Sequence, residues 1–356
     1  MKILHVITSL RTGGAEKLMV DLLPRLSETG YDVDLLLFDG TDTPFRRAAE
    51  EAGIKVIDLG KGGSVYSPIR LLKLLPYLRK YDVVHTHNTA PQLFAAIGSM
   101  LCSVVLCTTE HNTSNRRRSW KWYATIDRWM YNRYQKVICI SNKAEENLRN
   151  YIGYSKAEIT TVNNGIDVTK YANSQTSTLL EQIAPDSSKI IMVAGFRWEK
   201  DQDTLIRAMK HLPEKFHLFF VGDGVRRQEC EQLSRNEKVD PRVHFLGIRN
   251  DVANLLHAAD YVVMSSHFEG LSLSSVEGMS VGKPFLASDV DGLREVVKGA
   301  GILFPHGDSK EFANEILDLA KNKELYDTVA QRCHTRAKQF DISIMARGYS
   351  DVYKKL

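Results

Sequence analysis

Short apolar runs alternate with amphipathic helical stretches along the chain, and the whole pattern starts again near residue 190. This feature constrains the fold more than any other. In the first half the runs are Lys2–Ser9, Val33–Phe38, Ile54–Leu59, Val83–His87, Val104–Thr109 and Val137–Ser141. Between them lie helical stretches such as Ala15–Ser27, where Leu18, Leu22 and Leu26 step by four. In the second half the runs are Ile190–Ala194, His217–Val221, Val243–Leu246, Tyr261–Ser265, Pro284–Ser288 and Gly301–Phe304. Strands of this length separated by helices require crossover connections, and therefore mostly parallel, helix-covered sheets. The expected fold class is α/β, with two Rossmann-like domains. The polar stretch 171–188, with Pro185, reads as the linker between residues 1–170 and 189–340. Residues 341–356 read as a C-terminal helix.

In doubly wound sheets, ligands lie beyond the carboxyl ends of the strands, so the loops there hold the candidate residues. Gly13-Gly14-Ala15-Glu16 follows the first strand and opens a helix. Glycine admits close backbone approach, and the helix N-terminus favours an anion. The spacing is not GxGxxG, which argues against a dinucleotide site. His111 closes a polar cluster after the fifth run and offers a hydrogen bond to a sugar hydroxyl or phosphate. His85 and His87 also end a strand, but no third partner stands at metal-ligand spacing, so no metal site is expected.

In the second half, Arg197 and Lys200 follow the first strand and suit a diphosphate, the guanidinium forking two oxygens and the ammonium acting as a point charge. The segment His267 to Glu277 follows the fourth strand. Glu269 stands in its loop, Gly270 and Leu271 offer backbone N–H groups, and Glu277 lies one turn into a helix beginning near Ser272 or Leu273. A carboxylate of this kind accepts from sugar or ribose hydroxyls. Paired carboxylates also serve hydrolases, but that use leaves the phosphate-binding features unexplained. Arg249 and Asn250, in a loop that Asp251 closes as a helix cap, are candidates for holding a nucleotide base.

Assembled, these residues resemble the large family of retaining glycosyltransferases that includes sucrose synthases and bacterial mannosyltransferases, glycosyltransferase family 4. The resemblance rests on Glu269 and Glu277, then Gly282-Lys283-Pro284, and on Gly13-Gly14-Ala15-Glu16. It implies a GT-B fold, two Rossmann-like domains facing a central cleft, the first binding the acceptor and the second the nucleotide sugar, with the C-terminal helix, 341–356, crossing back to the first domain. It implies that Glu269 contacts hydroxyls of the donor sugar, that Glu277 binds ribose, and that Arg197 and Lys200 bind the diphosphate. Gly270 and Leu271 then help hold the phosphates, Gly14 contacts the donor, and His111 lines the sugar site. It implies no cofactor and no catalytic metal, because cationic side chains and helix dipoles neutralise the leaving group. Leu271-Ser272 and Glu277-Gly278 depart from pairs common in the family, so the donor sugar does not transfer from any relative.

The function expected is transfer of a hexose or N-acetylhexosamine from a nucleoside-diphosphate sugar to a saccharide acceptor, lipid-linked, in bacterial surface polysaccharide synthesis. A nonhydrolysing sugar-nucleotide epimerase and a catalytically silent carbohydrate-binding protein are the alternatives. Charge bears on the partner. Residues 1–170 carry 23 Lys and Arg against 17 Asp and Glu, and the remainder 24 against 26. Within the basic half, Arg116, Arg117, Arg118, Trp120 and Trp122 head a stretch to Lys136 rich in both basic and aromatic residues. That mixture suits an anionic membrane surface or the acceptor, and no nucleic-acid module is recognisable. With no signal-peptide pattern, no spanning run, and five cysteines without a CxxC pair, the expected location is cytoplasmic, peripheral at the inner face of the membrane.

Overall fold

The computed structural model describes residues 1–11, 13–111 and 123–356. Among the described residues, thirteen strands form two sheets, each wholly parallel. The chain divides into two compact units, residues 1–165 with 342–356, and residues 166–341.

In the first unit β1 (Lys2–Ile7), β2 (Asp32–Leu37), β3 (Lys55–Asp58), β4 (Val83–His87), β5 (Val105–Glu110), β6 (Lys136–Cys139) and β7 (Glu158–Thr161) lie in the order 3-2-1-4-5-6-7. Their near-continuous burial reflects a sheet covered on both faces. One face packs against Leu18, Leu22 and Leu26 of the helix Gly14–Glu28, and against Ile342, Met345, Tyr349 and Tyr353 of the helix Ile342–Tyr353. The last helix of the chain thus completes the core of the first unit. The opposite face packs against Leu74, Leu78, Phe94 and Leu148.

In the second unit β8 (Ser188–Val193), β9 (Phe216–Val221), β10 (Val243–Phe245), β11 (Tyr261–Met264), β12 (Phe285–Ser288) and β13 (Ile302–Phe304) take the order 10-9-8-11-12-13. Counted from its own first strand this is 3-2-1-4-5-6, the dinucleotide-fold order, with its topological switch between β8 and β11.

The stretch 171–188 is not bare linker. Two short helices, Val168–Ala172 and Leu179–Ile183, flank and fill it, and β8 begins at Ser188. Tyr171 and Leu180 are buried in the second unit's core, which is why a segment with polar composition is nonetheless packed.

Candidate functional site

The switch point of the second sheet gathers six of the residues singled out from the sequence: Arg197, Lys200, Glu269, Gly270, Leu271 and Glu277. β8 leads into Ala194–Arg197 and a 3-10 turn, Trp198–Lys200. β11 leads into Ser265–Ser272 and the helix Leu273–Ser280. The two loops are stapled together. The His267 N–H donates to the Glu199 carbonyl at 2.8 Å, and the Ser265 hydroxyl to the Asp201 carbonyl at 2.7 Å. This brings Lys200 Nζ to 2.5 Å from Glu269 Oε1, and the Ser266 hydroxyl donates to the same oxygen at 2.6 Å. Arg197, three residues before Lys200, is exposed, and its guanidinium makes no ion pair or hydrogen bond among the described residues.

Backbone approach holds this loop in place. Gly292 has φ +83°, and a Cβ there would stand 2.0 Å from the Gly270 carbonyl oxygen and 2.4 Å from that of Glu269. Only glycine fits at that position. Gly270 and Leu271 lie between Glu269 and the N-terminus of the helix Leu273–Ser280, where backbone N–H groups lack intrahelical partners. Glu277 lies within this helix and is buried, and its Oε1 accepts a 2.6 Å hydrogen bond from the Tyr171 hydroxyl. Sequence reasoning missed Tyr171, because nothing in a polar stretch signals a partner for a carboxylate 106 positions further on.

Arg249 is differently engaged. Its guanidinium donates to both carboxylate oxygens of Asp251, each at 2.8 Å. Asp251 occupies the N-cap position of the helix Val252–Ala258 but makes no capping hydrogen bond. The expected cap is absent because its carboxylate is spent on the arginine, and that pairing holds the Asp251 carboxyl below its ordinary range. Asn250 stands between the two paired residues.

In the first unit, Gly14 is the first residue of the helix Gly14–Glu28, after an extended Gly13. The Glu16 side chain folds back over this turn. A Cβ on Gly13 would stand 2.1 Å from Glu16 Oε2, and burial raises the Glu16 carboxyl above its ordinary range. His111 directly follows β5 and is joined to a histidine cluster that the sequence did not reveal. His5 of β1 is the register neighbour of His85 of β4, and His87 lies two residues on, so all three share one face. His5 Nδ1 stands 2.9 Å from His87 Nε2, and His87 Nδ1 stands 2.9 Å from His111 Nε2. Burial lowers all four imidazoles, His5 to about 3, His111 to about 4, and His85 and His87 well below their ordinary value.

The third imidazole that seemed to be missing beside His85 and His87 is therefore present. Ring nitrogens of His5, His85 and His87 lie within 4.8 Å of one another. Yet the rings are stacked, with interplanar angles of 22°, 11° and 12°. His5 Nδ1 and His87 Nε2 face each other at 2.9 Å, a gap that suits one shared proton and is too short for two nitrogens each about 2.0–2.1 Å from a zinc ion in tetrahedral geometry. The cluster has the geometry of a hydrogen-bonded stack, not of a ligand set.

Arg116, Arg117, Arg118, Trp120 and Trp122 lie outside the described residues. The rest of that basic aromatic stretch is divided between the first unit's core and its surface. Tyr131 and Tyr134 are buried, Lys136 is buried and paired with Glu158, and Arg133 stands over the Trp129 ring at 5.5 Å. Rings alternate with basic residues here because helix and strand each carry one apolar face, so Tyr131, Tyr134 and Lys136 are not available to a surface, whereas Arg128 and Arg133 are exposed and Trp129 is half-buried.

With this geometry in place, comparison with known proteins is decisive. Residues 12–170 match the model described as Glycosyltransferase Family 4, and residues 187–322 the model described as Glycosyl transferases group 1. The chain belongs to glycosyltransferase family 4. It is an enzyme of the transferase class with the GT-B fold. Among curated relatives, this transferase is 26% identical over 362 residues to the Escherichia coli UDP-Gal:alpha-D-GlcNAc-diphosphoundecaprenol alpha-1,3-galactosyltransferase, covering 94% of the chain and 92% of the relative. It is 26% identical over 308 residues to the putative glycosyltransferase EpsF of Bacillus subtilis, covering 81% and 79%. Among solved structures, Anabaena HepE in complex with UDP superposes with a TM-score of 0.87 at 24% identity, each chain covered in full. HepE has also been solved with UDP-glucose. Neither the epimerase nor the silent binder finds support among these matches.

Proposed function

We propose that this transferase moves a hexose or N-acetylhexosamine from a UDP-sugar to a lipid-linked saccharide during assembly of a bacterial surface polysaccharide, with retention at the anomeric carbon. The observation that carries the reading is the Lys200–Glu269 pair at the switch point beside an uncommitted Arg197. A diphosphate entering here recruits Arg197 and Lys200, since it carries more negative charge than the single Glu269 carboxylate with which Lys200 is paired. Glu269, released from Lys200, then accepts from hydroxyls of the sugar. The N–H groups of Gly270 and Leu271 receive phosphate oxygens. Glu277, oriented by Tyr171, accepts from the ribose hydroxyls. Asn250 and the backbone around Arg249 face the base, since the Arg249 side chain is committed to Asp251. Gly14 admits the donor closely, and His111 contacts the transferred sugar.

In the transfer itself the bond from C1 to the diphosphate oxygen breaks, and the acceptor hydroxyl oxygen bonds to C1 on the same face. The acceptor proton passes to the departing phosphate oxygen. Arg197, Lys200 and the helix N-terminus stabilise the negative charge that develops there, without a metal.

The lipid-linked acceptor implies work at the cytoplasmic face of a membrane. No helix among the described residues is long and apolar enough to cross one. A peripheral contact is supported by Tyr66, Ile69 and Leu72, exposed apolar side chains at the helix Pro68–Leu78, near the basic Lys61, Arg79 and Lys80. The composition of the sequence stretch headed by Arg116, Arg117, Arg118, Trp120 and Trp122 is a separate argument for a membrane contact.

The test is incubation with a panel of nucleotide sugars and polyprenyl-diphosphate-linked saccharides, reading released UDP or GDP and the anomeric configuration of the product. Release of UDP with a retained linkage is expected. Release of GDP alone overturns the donor assignment, and an inverted product overturns the mechanism.

A further inference from the structure

The histidines of the first unit form one continuous chain of hydrogen bonds that ends at His111. From the inner end, the Tyr349 hydroxyl lies 2.9 Å from Thr109 Oγ1, which lies 2.8 Å from His85 Nε2. His85 Nδ1 lies 2.6 Å from the Tyr353 hydroxyl, and that hydroxyl lies 3.2 Å from His5 Nε2. His5 Nδ1 meets His87 Nε2, and His87 Nδ1 meets His111 Nε2, both at 2.9 Å. The last atom in the sequence is His111 Nδ1.

A neutral imidazole has one N–H and one lone pair, and a hydroxyl has one hydrogen. Each link needs one donor and one acceptor, and a Tyr353 hydroxyl that accepted on both sides would strand its own buried hydrogen, so the choice at one ring carries to the others. Two arrangements remain. In one, every histidine carries its proton on Nδ1, and His111 points an N–H outward. In the other, every histidine carries it on Nε2, and His111 points a lone pair outward.

The inner end decides between them. In the first arrangement Tyr349 donates to Thr109, Thr109 to His85, His85 to Tyr353, and Tyr353 to His5, so every hydrogen has an acceptor. In the second, His85 donates to Thr109, and one hydroxyl hydrogen of the Thr109–Tyr349 pair has no acceptor among the described residues. Both side chains are fully buried. A buried donor left without a partner is penalised heavily, so the first arrangement prevails. Full burial of His5, His85 and His87 also keeps an extra proton out of the chain, where it would set two donors face to face.

We propose that His5, His85, His87 and Tyr353 are positioning residues that hold the proton of His111 on Nδ1, so that His111 presents a fixed hydrogen-bond donor to the donor sugar. The functional half of this statement rests on the sugar contact proposed for His111; the tautomer itself does not.

Nitrogen-15 NMR of histidine-labelled wild-type protein near pH 7.5, with resonances assigned through single histidine substitutions, tests the tautomer without any need for activity. Neutral Nδ1–H forms are expected for His5, His85, His87 and His111. An Nε2–H form at His111, or different tautomers at His5 and His87, overturns the proposal. Activity supplies the second arm. His87→Phe keeps a ring in the stack and removes both nitrogens, whereas His87→Gln restores a donor and an acceptor. Once circular dichroism shows both variants folded, His87→Phe is expected to lose the single His111 tautomer and to reduce turnover on the order of 10-fold, an effect typical of groups that orient a histidine. His87→Gln is expected to recover part of that loss. Unchanged turnover and an unchanged His111 tautomer in His87→Phe overturn the relay. If wild-type protein turns over no nucleotide sugar, the proposed function fails, and the NMR result still decides the relay.

Discussion

Lowering the pH from 7.5 to 5.5 should destabilise the first unit well before its carboxylates titrate. His5, His85, His87 and His111 are held neutral by burial, with His5 at about 3 and His111 at about 4. In the unfolded chain a histidine titrates near 6.5. Between about pH 6.5 and 4 the unfolded state therefore binds protons that the folded state refuses, and stability falls as pH falls. Above 6.5 both states are neutral and the effect vanishes. At pH 5.5 each unfolded histidine holds about 0.9 proton, which favours unfolding by about 1.4 kcal/mol per residue. Together these residues remove on the order of a few kcal/mol, a large share of the stability of an ordinary domain. Glu16 acts in the opposite sense, since its raised carboxyl takes a proton first in the folded state, but it is one group against four. Asp39, held low chiefly by hydrogen bonds from Thr41 and the Gly62 N–H against the cost of burial, matters only at more acid pH. The assay is urea unfolding at pH 7.5, 6.5 and 5.5, followed by peptide-level hydrogen exchange in β1 and β4. A first-unit midpoint that stays constant from pH 7.5 to 5.5 would refute the claim that these imidazoles are buried and neutral.

Three further outcomes are expected. Lys200→Ala and Glu269→Ala should each lower the steady-state transfer rate on the order of 100-fold while the protein remains folded, and near-normal rates in both would remove the pair from the site. Tyr171→Phe deletes one hydrogen bond to the buried Glu277 carboxylate; calorimetry should show UDP bound about 10-fold more weakly, with little change in turnover at saturation. Gly292→Ala forces a Cβ toward the Gly270 carbonyl at a positive φ, so it should cost about 1–3 kcal/mol in thermal stability and weaken UDP binding in the same titration; wild-type values for both would show that the 269–270 loop yields freely.

What could be read from the sequence followed from local periodicity. Leu18, Leu22 and Leu26 marked a helix because burial repeats with the helical turn, and all three are buried. Arg197, Lys200, Glu269 and Glu277 were legible because loops that follow strands end at one edge of a parallel sheet. The histidine stack was not, because it depends on register. His5 meets His85 only once β1 lies beside β4, and no local pattern encodes that pairing across 80 positions. The helices Val168–Ala172 and Leu179–Ile183 were hidden for another reason. Each has five residues, too few for an apolar period to emerge from Ser, Thr and Asn. Asp251 shows a third limit, since its place before a helix suggested a cap while Arg249 two residues earlier competes for the same carboxylate.

The helix Ile342–Tyr353 also bears on how the protein comes into being. Tyr349 and Tyr353 are fully buried against strands built from the first 165 residues. During synthesis the second unit has all of its residues once Asp341 has emerged, whereas the first waits for a helix made more than 170 residues after its own last strand began. The half of the protein translated first is thus the half finished last. A nascent chain must keep the apolar face beside β1 and β4 from aggregating throughout that interval, and a frameshift near residue 342 would disable the N-terminal unit while leaving the C-terminal one whole.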